Sequence, residues 1–276
     1  MKKSLEEIFH EKILMSALAA YFATNSVGFA APAEADKETI NQIALLQSLT
    51  LGHFDGSISA KNLKTLGDTG IGTFDGLDGE MIFLDGVIYR ANQDCKINVV
   101  DDAVTIPFSN VTFFEKDFAV RLKDISGKAA LESKLNELVK KNGENNFYMV
   151  KITANYDEIL VRSEKGSTKP YPTLVKALET QKEVTKKNIN GTIVGLYCPA
   201  YMSSLNSVGW HFHFVSADKT FGGHVLEMKI KSGEAEFDKT DKFSMILPEN
   251  KDFQKLDLGK DLSADIKKAE NDTVSK

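Results

Sequence analysis

The sequence predicts a mixed α/β (α+β) fold, and three observations favour it. Between residues 52 and 114, short apolar runs alternate with glycine-rich turns, which is typical of the strands of a sheet. Segments with apolar residues at helical spacing lie before and after this region. Hydrophobic residues make up 42% of the 276, enough to bury one large core or two closely joined ones. Strands flanked by helices favour such a fold over a helical bundle.

The first 35 residues have the pattern of a signal peptide. An apolar run from Ile13 to Phe22 follows two early lysines and precedes small-residue sites between Ala31 and Ala35. Three glutamates before the run cancel the early positive charge, and the run is too short to span a bilayer. The apolar run and the small-residue sites that follow it nevertheless lead us to expect export to the periplasm or the cell exterior. The alternative is a cytoplasmic protein in which residues 1–35 are an N-terminal helix or a dispensable extension.

The elements predicted in the first half begin with a helix, because apolar residues recur at helical spacing from Lys37 to Leu51. Two strand-like apolar runs follow, Met81 to Arg90 and Val104 to Phe114. The segment from Ser126 to Asn142 predicts a second helix, since leucines line one of its faces and Gly143 follows it.

Four further elements are predicted in the second half, each bounded by turn, proline or capping residues. They are a β-hairpin of residues 146–154 and 159–163 that turns at residues 155–157, a helix from Pro172 to Asn188, a strand from Gly191 to Tyr197, and a last helix from Ala264 to Asn271 capped by Ser263.

Three of the five histidines lie close together, as His211, His213 and, after ten further residues, His224. Alternate side chains of a strand share a face, so His211 and His213 point to one side and their aromatic neighbours to the other. A polar run at residues 216–220 precedes a second apolar run, which predicts a β-hairpin. A turn at Asp218-Lys219 places His213 opposite His224, with His211 on the neighbouring diagonal.

Three imidazoles on one face are the pattern of a catalytic zinc site with one coordination position open. The alternative is that they are strand histidines whose hydrogen bonds are satisfied within the protein. That alternative suits a single histidine better than three on one face. The sequence therefore predicts a zinc ion bound by His211, His213 and His224.

Three other residues could supply acid–base or anion-binding chemistry. Glu80 begins an apolar run after a turn, where a carboxylate can enter a site, or else it is an exposed loop acid. Arg162 is one of only three arginines in a lysine-rich chain, and a guanidinium can hold a carboxylate bidentately; the alternative is a surface arginine. Glu270 lies on the predicted last helix, where the pattern alone favours a solvated acid.

The composition of the chain argues against one class of binding partner and against one kind of metal site. A net charge of −5 and the lack of a long basic run argue against nucleic acid. The two cysteines, Cys95 and Cys198, form either one disulfide or two small buried apolar residues, and the sequence does not decide between these. Their spacing excludes a zinc knuckle.

Six separated segments carry a resemblance to a known family. They are GTFDGLDGEMIFLDGVIYR at residues 72–90, PFSNVTFF at 107–114, FYMVKI at 147–152, KPYPTL at 169–174, GTIVGLYCPAYM at 191–202 and GWHFHFVSADKTFGGHVLEM at 209–228. In this order they resemble the α-acetolactate decarboxylase family, from about Leu49 to the C-terminal helix.

The resemblance implies roles for the candidate residues. His211, His213 and His224 correspond to the zinc ligands of the family. Glu80, in the L-D-G-E motif, corresponds to a glutamate beside the metal, and Arg162 corresponds to the active-site arginine. The short context D-I-K-K-A-E at residues 265–270 implies that Glu270 reaches the site from the last helix.

The resemblance also implies the architecture, a mixed β-sheet subdomain packed with a small antiparallel β-barrel subdomain, with the zinc site between the layers. We expect residues 36–276 to form a single domain of two closely joined subdomains that divide near residues 140–146. A homodimer without a membrane span is the expected assembly.

The implied activity is that of a carboxy-lyase, the zinc-dependent decarboxylation of 2-acetolactate to acetoin and carbon dioxide through a metal-stabilised enediolate. Arg162 would hold the departing carboxylate. Glu80 and Glu270 would accept and donate protons, or one of them would fill a zinc position. No organic cofactor is required, because the metal supplies the electron sink.

Two other classes of protein are alternatives. A cupin-like metalloenzyme also carries H-x-H on a strand but usually adds a glutamate a few residues later, and residues 214–220 contain none. An exported zinc-binding or carrier protein would explain the histidines and the signal-like start. It would not explain Glu80 and Arg162 in matching motifs.

Overall fold

Fourteen β-strands and five α-helices make up the part of the chain that the computed structural model describes, residues 36–203 and 205–271, the last two without their side chains. The strands are β1 (Thr39–Ile43), β2 (Ile58–Ser59), β3 (Thr69–Thr73), β4 (Glu80–Leu84), β5 (Val87–Ala91), β6 (Ile97–Val99), β7 (Thr105–Ile106), β8 (Ser109–Thr112), β9 (Phe118–Ser126), β10 (Phe147–Ser163), β11 (Lys182–Cys198), β12 (Gly209–Ser216), β13 (Gly222–Thr240) and β14 (Lys242–Ile246). The helices are α1 (Leu46–Thr50), α2 (Ala60–Leu63), α3 (Lys128–Asn142), α4 (Leu174–Leu178) and α5 (Ser263–Asn271). The signal-peptide prediction falls on residues 1–35, which lie outside the described residues.

The first sheet is mixed and has seven strands in the order β14-β1-β8-β3-β4-β5-β6. Strands β1 and β14 run parallel, whereas the other neighbours run antiparallel. The predicted helix from Lys37 to Leu51 is therefore wrong in its first half, because residues 39–43 form β1 and only Leu46–Thr50 is helical. Strand β1 is buried on both faces, and such a strand is apolar at positions that can imitate helical spacing.

The second sheet has five antiparallel strands in the order β10-β11-β12-β13-β9. Strand β10 also pairs with β13, so the pairings of β10, β11, β12 and β13 close into a ring. Three of these strands are long, with 17 residues in β10, 17 in β11 and 19 in β13. Sheet membership departs from chain order at the end of the sheet region, because β14 follows β13 in the chain but belongs to the first sheet.

Two predictions for the second sheet are wrong. The hairpin predicted at residues 146–163 is the single strand β10, and its pairing with β13 shifts register near Asn155 and Tyr156 instead of turning. The helix predicted from Pro172 to Asn188 is limited to α4, and the chain from Lys182 onward is β11. The helix predicted from Ser126 to Asn142 is confirmed as α3, which ends at Gly143 with φ 117°.

The two sheets pack against each other through apolar side chains. Ile71 and Ile82 of the first sheet share a core with Met149 and Val194 of the second. A separate core lies against α3, whose buried residues join the aromatic face of β12. The predicted aromatic face is thus confirmed, and the opposite face of β12 is directed towards the first sheet.

Cys95 and Cys198 are both buried and are not joined to each other, so the alternative of a disulfide between them is wrong. The described residues contain no helix with the length and apolar character needed to cross a membrane. The division of residues 36–276 into subdomains near residues 140–146 stays a prediction.

Candidate active site

The three histidines lie on the β12–β13 hairpin. Strand β12 pairs antiparallel with β13, and His213 lies directly opposite His224, as the sequence predicts. Two glycines before His224 allow the strands to approach closely. A Cβ on Gly222 would lie 2.3 Å from the Phe214 carbonyl oxygen, and one on Gly223 (φ 152°) would lie 2.4 Å from the Arg162 carbonyl oxygen.

The imidazole nitrogens converge on one point. Nε2 of His211 lies 3.0 Å from Nε2 of His213 and 3.0 Å from Nδ1 of His224. One ligand atom from each of the three residues can be chosen so that all lie within 4.8 Å of one another. Two nitrogens bound to one zinc ion at about 2.1 Å lie roughly 3.4 Å apart at a tetrahedral angle. The spacing is therefore that of a site able to hold a metal ion.

The environment keeps these rings in the form that binds metal. Nδ1 of His213 lies 2.8 Å from the carbonyl oxygen of Met81, so Nδ1 carries the proton and Nε2 faces the cluster with its lone pair. Burial lowers the pKa of His211 to about 3 and the pKa of His224 well below its ordinary value. These imidazoles are neutral at neutral pH, and neutral imidazole is the metal-binding form.

Glu80 comes to the cluster from the first sheet. It follows Gly79, whose φ of 90° suits a turn into β4, and its side chain is buried. Its Oε2 lies 3.3 Å from Nε2 of His213. The structure therefore places this carboxyl group at the histidines and not in an exposed loop, so the alternative of a solvent-exposed acid is wrong.

Arg162 reaches the same cavity from the end of β10 and is only 3% exposed. Its Nη1 donates to Oε1 of Gln181 at 2.7 Å, and its Nη2 donates to the carbonyl oxygen of Ala269 in α5 at 2.6 Å. The alternative of a surface arginine is wrong, because this guanidinium is buried and is held by two hydrogen bonds beside the histidines.

The remaining predicted site residue is Glu270, which follows Ala269 in α5. Its side chain lies outside the described residues. The backbone of α5 is adjacent to the site, because Ala269 lines the cavity and also accepts the hydrogen bond from Arg162.

Glu164 is a candidate site residue that the sequence reasoning missed. It lines the cavity with Glu80 and Arg162, it is 1% exposed, and its carboxyl group lies close to that of Glu80. Burial raises the pKa of this carboxyl to about 7, although the positive charge of Arg162 acts in the opposite direction. The signal in the sequence was its spacing, because residues two apart along an extended chain share a face.

The cavity has one polar wall and one apolar wall. The polar wall holds the histidines, the two glutamates and Arg162. The apolar wall consists of leucine and phenylalanine side chains from several elements, namely Leu46, Leu49, Leu77, Phe108, Leu174 and Leu178. A small molecule with a charged end and short alkyl groups suits such a cavity, because a few converging polar groups orient it and the apolar wall excludes water.

Comparisons with known proteins identify relatives of the whole described domain. The sequence model of the family described as alpha-acetolactate decarboxylase matches residues 40–260. The chain is 39% identical over 235 residues to an alpha-acetolactate decarboxylase of Methanosarcina mazei, covering 84% of this chain and 80% of that protein. It is 32% identical to one of Brevibacillus brevis, covering 99% of each. The crystal structure of alpha-acetolactate decarboxylase from Bacillus subtilis strain 168 superposes with a TM-score of 0.82 at 30% identity, covering 85% of this chain and all of that one.

Proposed function

The chain belongs to the alpha-acetolactate decarboxylase family and is a carboxy-lyase of that kind, and we propose that its activity depends on a zinc ion held by His211, His213 and His224. The proposed reaction is the conversion of 2-acetolactate to acetoin and carbon dioxide. The observation that carries the proposal is the convergence of three histidine nitrogens in a cavity that also holds a buried guanidinium. Membership of this family favours the decarboxylase over the cupin-like and carrier alternatives.

The donor set fits zinc. Three imidazoles with a position left open for water or substrate are a common catalytic zinc arrangement. The hydrogen bond from Nδ1 of His213 to the Met81 carbonyl fixes the ring, as a second layer of contacts does around many metal sites. A bound zinc ion supplies a Lewis acid that stabilises negative charge developing on nearby oxygen atoms.

Arg162 is proposed to bind the substrate carboxylate. The acceptors of its hydrogen bonds among the described residues, the Gln181 amide oxygen and the Ala269 carbonyl oxygen, are both neutral. The guanidinium therefore keeps its positive charge for an anionic ligand while its orientation is fixed. Holding the carboxylate in one orientation favours cleavage of its bond to the neighbouring carbon.

The carboxyl groups are proposed to move protons. Loss of carbon dioxide leaves an enediolate, whose protonation on one face gives chiral acetoin. Glu80, next to His213, is placed to accept the hydroxyl proton of the substrate or to return a proton to carbon. Glu270 is proposed as its counterpart on the strength of the resemblance, and Glu164 adds a third carboxyl group whose raised pKa suits proton exchange near neutral pH.

The apolar wall is proposed to contact the two methyl groups of 2-acetolactate. Leucines from α1 and α4 line it, so both helices would exclude water from the enediolate. The ring of strand pairings from β10 to β13 is consistent with the small barrel that we expected, and we propose that the zinc lies between this barrel and the first sheet. Export directed by residues 1–35 and assembly into a homodimer are further proposals.

The direct test uses the purified full chain and racemic 2-acetolactate. Acetoin and carbon dioxide are measured for the protein as prepared, after chelation, and after zinc is restored. We expect both products to disappear with the chelator and to return with zinc. A folded, zinc-loaded protein that forms no acetoin would overturn the proposed function, and full activity after complete removal of metal would overturn its zinc dependence.

A further inference from the structure

Arg162 is held in place by Gln181, which is itself hydrogen-bonded to a carboxylate. Gln181 lies in the turn between α4 and β11, where its backbone N–H donates to the Leu178 carbonyl oxygen at 3.0 Å. Its side-chain Oε1 accepts from Nη1 of Arg162 at 2.7 Å, and its Nε2 donates to Oε1 of Glu183 at 3.1 Å. Glu183 pairs with Arg162 across β10 and β11. The amide of Gln181 therefore joins the guanidinium to a carboxylate without direct contact between the two charges.

The chemistry of these groups leaves little choice for the residue between them. A guanidinium can only donate hydrogen bonds and an ionised carboxylate can only accept them. The group between them must accept on one side and donate on the other, which an amide does. Its orientation is fixed by the same argument, because the reversed amide would direct its NH₂ group at the guanidinium and its oxygen at the carboxylate.

We propose that Gln181 is a positioning residue for Arg162, which it orients with a neutral acceptor so that the guanidinium keeps its charge for the carboxylate of the substrate. This inference rests on the proposed role of Arg162 as the carboxylate-binding residue. The affinity for the anionic substrate should then depend on whether the acceptor at position 181 is charged, and not only on whether an acceptor is present.

Two variants separate orientation from charge. Gln181→Leu removes the acceptor, so Arg162 loses its orientation and kcat/KM for 2-acetolactate should fall roughly 10- to 100-fold, as expected for a lost hydrogen bond to a charged group. The double variant Q181E/E183Q exchanges the two groups. It keeps both hydrogen bonds and the net charge of the chain, but it places a carboxylate in contact with Arg162.

The double variant should therefore raise KM for 2-acetolactate by roughly 10-fold or more, because an ion pair with Glu at position 181 competes with the substrate carboxylate. Inhibition by acetoin, which lacks the carboxylate, should stay within about two-fold of its original strength. The matched control is Glu183→Gln, whose amide oxygen can still accept from Gln181 and which should leave both quantities within about two-fold. A thermal melt of each variant establishes that it is folded.

The experiment also includes Arg162→Gln, so that each idea can fail separately. If Arg162→Gln does not raise KM for 2-acetolactate relative to acetoin inhibition, the proposed role of Arg162 is wrong. If it does, while Gln181→Leu and Q181E/E183Q leave KM and kcat unchanged, the inference about Gln181 alone is overturned. Equal weakening of substrate and acetoin in the Gln181 variants would also overturn it, because that result indicates a general structural role.

Discussion

Burial of the Glu164 carboxyl should make the free energy of unfolding depend on pH, and the size of this dependence follows from the pKa of the carboxyl. The folded chain holds the proton of this carboxyl more tightly than the unfolded chain does, since its pKa rises from 4.5 to about 7. Glu164 therefore stabilises the fold most below a pH of about 4.5, and this contribution is lost as the pH rises through about 7. At about 1.4 kcal/mol per pKa unit, the full loss is about 3 to 4 kcal/mol.

The perturbation is Glu164→Gln, which keeps the shape of the side chain and removes its titration. Its free energy of unfolding relative to the unmodified chain should increase steadily with pH, by about 2 to 3 kcal/mol between pH values of about 5 and 8. The assay is urea denaturation of the metal-free protein at several pH values. Restoring zinc should reduce the gain, because a nearby cation favours the ionised carboxyl.

The matched control is Glu158→Gln. Glu158 is a surface acid whose pKa is lowered by its hydrogen bond to Lys229, so removing its charge should give no gain that increases with pH. A constant stability difference between the Glu164→Gln variant and the unmodified chain across this pH range would contradict the raised pKa, because it would mean that Glu164 titrates in the folded protein as it does in water.

Three further predictions address the metal, the core and the thiols. His213→Ala should weaken zinc binding by roughly 100-fold or more and abolish acetoin formation with it, as measured by competition with a chromophoric chelator; near-normal zinc binding would remove His213 from the site. Leu135→Ala, in the core against α3, should lower the free energy of unfolding by about 2 to 5 kcal/mol without changing activity per folded molecule, and a loss below about 1 kcal/mol would contradict the packing described. Both cysteines are buried, and burial raises the pKa of the Cys95 thiol to about 12. A thiol reagent should therefore label neither cysteine quickly in the native protein and should label both after unfolding. If neither cysteine is labelled in the unfolded chain before reduction, the two form a disulfide instead.

The histidine hairpin and α3 could be predicted because local pattern and tertiary environment agree there. Alternation along β12 places the histidines on one face and the aromatic residues on the other, and both faces of the strand are buried. The leucines of α3 recur on a single face, which the sheet covers. The turn lies between Val215 and Gly222, which pair with each other, so the pairing of His213 with His224 follows from counting residues back along the two strands.

The long strands could not be predicted, because their pairing is non-local. Residues 155–157 have the composition of a turn, yet Tyr156 is buried and its hydroxyl donates to the Ile152 carbonyl oxygen within β10. A register shift accommodates these residues without a turn. The charged segment that begins β11 has the pattern of a helix in isolation, but its six residues from Lys182 to Lys187 all pair with β10 and are held as a strand.

The candidate site was predictable where residue type restricts chemistry and not where burial creates it. Histidines at strand spacing and a rare arginine are visible in the sequence. The functional potential of Glu164 arises from its desolvation, and the role of Gln181 arises from the two charged groups on either side of it. Both depend on how β10, β11 and α4 come together, which a single sequence does not encode in a readable form.

The most direct test of the account is a zinc titration of the metal-free full chain, with bound zinc and acetoin formation measured on the same samples. We expect both quantities to rise together and to level off at one zinc ion per chain, and neither to rise in the His213→Ala variant over the same range. Full activity before zinc is added, or zinc bound at one equivalent by a folded chain that forms no acetoin, would contradict this expectation.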